Sequence, residues 1–137
     1  MRRAQTALQR CLNSPYLWRD ESKRGQVEDE LAGARELLKR ARTSFNEEDE
    51  ATGLKQSWGA MFRAAHGLVY NAGYMAEQLR CLEVVLQAHY PDITEEDIAG
   101  LRRAQELVGP PDVAIERART FIDKAASLVQ GELRDIA

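Results

Sequence analysis

Arg63, His66, Tyr70 and Tyr74 follow one another at steps of three, four and four residues. On a helix those steps bring side chains together along one line. The residue types suit one kind of chemistry. An arginine clamps a phosphate bidentately and stays charged. A histidine takes or gives a proton near neutral pH. A tyrosine stacks on a base or holds a hydrogen bond. Together they would suit metal-free attack of a ribose hydroxyl on its own phosphate, with Arg63 meeting the phosphorane charge and His66 moving the proton. A structural reading stands beside the chemical one: Arg63 and His66 as the polar edge of a central helix, the tyrosines filling the rim of a bundle.

Other chemistries find little support. Gly67 and Gly73 fall in or at the end of a helical segment with no strand before them, so there is no glycine-rich phosphate loop. The Glu-x-x-His pair of carboxylate-bridged metal bundles is absent: Arg63 precedes His66 at that spacing, and Leu86 precedes His89. The acids Glu47, Glu48, Asp49 and Glu50 are consecutive and would point in different directions around a helix. No metal and no cofactor is expected.

The element that must carry the line of four is a long helix over about 48–73, with Gly73 as its C-cap. Leu54, Trp58, Met61, Phe62, Ala65, Leu68, Val69 and Ala72 share one broad apolar face, and Ala60, Ala64, Gly67 and Asn71 form a second face of small residues. Asn46 reads as its N-cap, with Asp49 three residues on. A helix over about 21–45 precedes it, with Val27, Leu31, Ala34, Leu38, Ala41 and Phe45 in a heptad pattern. Residues 3–12 make a short amphipathic helix, and Tyr16, Leu17 and Trp18 an apolar knot. Further helices are expected over about 75–89, 95–108 and 111–133, the second capped by Thr94 with Asp97. No strand pattern is visible. The expected architecture is all-α: one antiparallel up-and-down bundle of four main helices with short extra helices. It forms a single domain over 1–137, with residues 1–20 as an N-terminal extension.

The 137 residues suffice for one core. The net charge of −3 is uneven: residues 1–42 hold ten Lys/Arg against six Asp/Glu, and residues 43–137 hold nine against sixteen. Solvated helix faces explain this, as does a basic N-terminal surface that meets phosphates or an acidic partner. Cys11 and Cys81 are too few for a disulfide framework or a zinc site, so buried free thiols and a reducing, cytoplasmic setting are expected. No apolar run approaches a membrane span, and Met-Arg-Arg at the start is followed by no signal-peptide core.

The stretch Ser57-Trp58-Gly59-Ala60-Met61-Phe62-Arg63-Ala64-Ala65-His66-Gly67-Leu68-Val69-Tyr70-Asn71-Ala72-Gly73-Tyr74, followed by Cys81-Leu82, resembles the signature of small prokaryotic HEPN (higher eukaryote and prokaryote nucleotide-binding) proteins. Helix order extends the resemblance over about 21–131, and its specific part is about 57–82. The resemblance implies an all-α bundle that forms a homodimer. It also implies either a metal-independent, toxin-like ribonuclease paired with a nucleotidyltransferase-fold antitoxin, or a module that binds nucleotide, RNA or such a partner without catalysis. In nuclease members an arginine precedes the histidine with four to six residues between. Here His66 would need it at Gly59, Ala60 or Met61, and His89 at Leu82, Glu83 or Val84. Arg63-Ala64-Ala65-His66 reverses the commoner order, and where relatives place a histidine after the Gly-Tyr pair this chain has Leu79. Of a late Arg-Ala-Asp-Tyr motif, Arg103-Ala104 alone matches. The expected function is therefore a dimeric binding module with degenerate catalytic residues, Tyr70, Tyr74 and Arg103 contacting nucleotide or RNA. The alternative is an endoribonuclease using Arg63 and His66.

Overall fold

The structure is a computed structural model; it describes residues 2–136, with the side chains of residue 3 and residues 5–130. The domain expected over 1–137 thus includes two terminal residues, Met1 and Ala137, that lie outside the described residues. Within them the order is α1 (Arg2–Leu12), β1 (Leu17–Arg19), a 3-10 turn (Glu21–Gln26), α2 (Val27–Asn46), α3 (Glu50–Asn71), β2 (Tyr74–Ala76), α4 (Leu79–His89), α5 (Glu95–Gln105) and α6 (Pro111–Ile136). The chain is an all-α helical bundle, and α2, α3 and α6 are its longest members.

The heptad on α2 is used as written: Val27, Leu31, Ala34, Leu38 and Ala41 are buried. At its end Ser44 takes the buried place and donates its hydroxyl to Gln56 at 2.6 Å, while the half-buried Phe45 lies over Gly53. The short connection at residues 47–49 turns the chain back, so α3 runs antiparallel to α2. Its N-cap is Asp49, which accepts from the Thr52 N–H at 3.2 Å, in place of the expected Asn46. α3 packs on α2, α4, α5, α6 and β2, which makes it the centre of the bundle. Ala60, Ala64, Leu68 and Val69 on it are fully buried. The small-residue face is consumed inside the chain: a Cβ at Gly67 would stand 3.6 Å from Glu30 and 3.7 Å from Leu31 of α2. On the far side Ala118, Phe121, Ile122, Ala125 and Val129 of α6 close the core.

Gly73 ends α3 as expected: at φ +86 its N–H reaches the Tyr70 carbonyl at 2.9 Å, a backbone shape that β-carbon-bearing residues avoid. Beyond Gly73 the chain departs from the helix expected there. Residues 74–76 are extended and pair antiparallel with β1, Leu17 opposite Ala76, Trp18 opposite Met75 and Arg19 opposite Tyr74. Side chains alternate across a strand, so Leu17 is buried at 1% exposure while Tyr16 and Trp18 face outward. Three-residue strands leave no periodicity to read, and α4 accordingly begins at Leu79 rather than near residue 75.

The cysteines are the clearest correction. In place of the expected free thiols, Cys11 and Cys81 form a disulfide across a separation of 70 residues, with Cα atoms 5.7 Å apart. A lone pair at that separation carries no spacing signal, and only the packing of α1 on α4 brings it together. A reducing setting inferred from free thiols loses that support. Residues expected as an extension are tied in twice, by the disulfide and by β1 on β2. Among the described residues no helix is long and apolar enough to cross a membrane.

Candidate functional site

The line expected on one helix is divided between two elements. Arg63, His66 and Tyr70 lie on successive turns of α3, but Tyr74 lies past Gly73 on β2. Helical register stops where the helix stops, so Tyr74 is positioned by strand pairing with Arg19.

Arg63 is held by α2. Its Nε donates to Glu30 at 3.1 Å and its Nη2 reaches the Asp29 carbonyl at 3.4 Å. The guanidinium lies where a Cβ at Gly33 would be, so the missing side chain of Gly33 is its seat. The Arg63 side chain keeps 38% of its surface exposed and Glu30 keeps 19%. His66, half-buried one turn on, has its Nε2 at 3.4 Å from the Ala76 carbonyl of β2. Its ring stands edge-on to Phe62 at 4.4 Å and tilted against Tyr70 at 5.7 Å. The two candidate catalytic groups thus have separate partners, Arg63 on α2 and His66 on β2.

Both tyrosines are buried, Tyr70 at 8% exposure and Tyr74 at 2%, so neither ring offers an open face for a base to stack on. Burial pushes the Tyr70 phenol above its ordinary pKa, Glu30 and Asp20 adding to the effect and Arg63 opposing it. At neutral pH it is a neutral hydroxyl, not an anion. The Lys23 ammonium lies 5.9 Å from the Tyr70 ring centre and the Arg19 guanidinium 5.4 Å from that of Tyr74. Tyr74 also meets His89, hydroxyl to Nε2 at 3.2 Å. The outer layer over this region is therefore of mixed charge, with Arg19 and Lys23 over the tyrosine rings, Arg63 paired with Glu30, and Asp20 and Glu21 interleaved.

Arg103 lies elsewhere. It is exposed on α5 and lines a cavity of about 770 Å³ between α5 and α6, with Arg117, Glu96, Asp112 and Glu116. None of the contacts among the described residues joins it to Arg63 or His66.

Sequence reading missed Glu30, Gly33, Arg19 and Lys23. Glu30 and Gly33 are three apart and share a side of α2, but nothing in the chain says which turn of α3 will oppose them. Among the described residues no three His, Cys, Asp or Glu side chains are grouped to hold a metal ion. No protein-family model matches this sequence, and no curated protein matches it.

Proposed function

We propose that the chain is a HEPN-like helical module, homodimeric, that binds a nucleotide, RNA or a nucleotidyltransferase-fold partner through the β1–β2 side of the bundle and does not cleave. One observation carries this reading: Arg63 is neutralised by Glu30 while His66 is turned to the Ala76 carbonyl, so the arginine–histidine pair is divided between two partners. A cleaving site needs both groups directed at one phosphate. Arg19 and Lys23 supply cations at the same edge and would meet phosphate oxygens there. Arg103 would be a second, separate contact. A cytoplasmic setting goes with this reading, because nucleotides and RNA are met there. The dimer cannot use the small-residue face of α3, which α2 covers, so it would need another surface.

An RNA titration tests the reading. The purified chain, in EDTA and over a salt series, is expected to bind mixed RNA with an affinity that falls as salt rises, and to leave the RNA intact. The second reading, a metal-independent endoribonuclease, draws on one feature: Arg63 and His66 stand on adjacent turns of α3 and both are partly exposed. Cleavage lost in both Arg63→Ala and His66→Ala would establish it and overturn the first. Absence of salt-dependent binding would leave a helical scaffold.

A further inference from the structure

Cys11 and Cys81 line a surface cavity of about 270 Å³ together with Arg10, Tyr16, Gln78 and Arg80. The half-cystines are nearly covered, Cys11 at 7% exposure and Cys81 at 3%, so the cavity is the route to the bond. Neither Arg10 nor Arg80 has an ion-pair partner among the described residues. Two uncompensated guanidinium groups beside a disulfide attract an anionic thiol and favour thiolate over thiol.

The two sulfurs are not equivalent. Cys81 is the third residue of α4, and Gln78 before it makes no side-chain cap bond. The first-turn N–H groups have no partner within a helix, and the dipole there favours negative charge. Cys11 is the last residue but one of α1, the end where the dipole disfavours a thiolate. The lower-energy leaving group is therefore Cys81.

We propose that the Cys11–Cys81 bond is a thiol–disulfide exchange site for a low-molecular-weight thiol bearing carboxylates. The incoming thiol gives its proton to solvent, and its thiolate attacks Cys11 Sγ. A sulfur–sulfur bond forms there, the Cys11–Cys81 bond breaks, and the electron pair leaves on Cys81 Sγ as thiolate. A second equivalent of the same thiol, also as thiolate, attacks the mixed disulfide at the first thiol's sulfur and releases Cys11. Two external thiols are oxidised to their disulfide and the protein disulfide is reduced by two electrons. Exchange at this site removes the covalent tie between α1 and α4.

Peptide mapping of the full, oxidised chain tests this directly. The chain is treated with glutathione, which carries two carboxylates, or with cysteamine, which is cationic, at matched thiolate concentration. The reaction is quenched in acid and the free thiol alkylated. Glutathione is expected on Cys11 with the alkyl label on Cys81, and its rate to exceed that of cysteamine about tenfold. That preference should shrink as ionic strength rises and vanish in the Arg10→Gln/Arg80→Gln double variant. Glutathione mainly on Cys81, equal rates for the two thiols, or a chain inert to both would overturn the proposal. The salt series on the wild-type chain gives the electrostatic readout even if the double variant misfolds.

Discussion

Arg63 owes its place to a side chain that is missing from α2. A methyl group at Gly33 would overlap the guanidinium, which is the free end of a flexible chain and can swing away, whereas the backbone of α2 cannot. Gly33→Ala is therefore expected to evict Arg63 and break its pair with Glu30. Two effects oppose each other. Alanine in a helix interior gains about 0.5–1 kcal/mol over glycine, and a partly exposed ion pair contributes about 0–1 kcal/mol. Stability in urea should therefore change by less than about 1 kcal/mol. The consequence lies in binding. An arginine freed from its carboxylate should raise RNA affinity on the proposed reading, and Glu30→Gln should do the same. RNA titrations of both variants at one salt concentration check this; unchanged affinity in both would remove Arg63 from the contact surface.

At the scale of elements, Asp97 does two jobs. It closes the capping box on Thr94 at the start of α5, and it accepts from the Lys124 ammonium of α6 at 2.6 Å. Burial pushes its carboxyl up, but the bonds from Lys124 and from the Thr94 N–H and hydroxyl outweigh this and hold it below the ordinary value. A carboxyl whose folded pKa is depressed stabilises above its unfolded value, about 3.9, and loses that contribution as pH falls through the lower folded value. Asp97→Asn should therefore lower stability at pH 7 by about 1 kcal/mol. The gap to wild type should narrow below about pH 4. Urea denaturation at pH 7 and pH 3 measures both; an equal gap at the two would show that the carboxylate charge is not the source. This box is legible in the sequence because a cap is local, as are the heptads of α2 and α6, whose period survives folding. What is illegible depends on register between elements. The Arg63–Gly33 contact and the pairing of residues 17–19 with 74–76 need two segments to be placed before either can be seen. Tyr74 shows the limit from the other side: extending the helical period past Gly73 puts it on a face that does not exist.

For the whole molecule the decisive feature is the covalent tie between the first helix and the fourth. α1 rests on α4 and β1, with Leu8 and Cys11 as its buried residues among those described. A helix of 11 residues is marginal on its own and needs such an anchor. Closing a loop between residues 70 apart removes enough freedom from the unfolded chain to contribute about 4 kcal/mol in the chain-entropy account. The Cys11→Ser/Cys81→Ser double variant should lose stability of about that size against wild type measured without reductant. Wild type in excess dithiothreitol should fall to nearly the same midpoint, since both then lack the tie and differ only in two small side chains. Proteolysis should show where the loss is felt: cleavage after Arg10 or Arg19 should accelerate in the variant, while sites on α3, buried among α2, α4, α5 and α6, should stay protected. Equal urea midpoints for untreated wild type and the double variant would mean that the tie does not hold in solution. α1 would then rest on α4 by Leu8 and its neighbours alone, and the stability of the bundle would come from α2, α3 and α6.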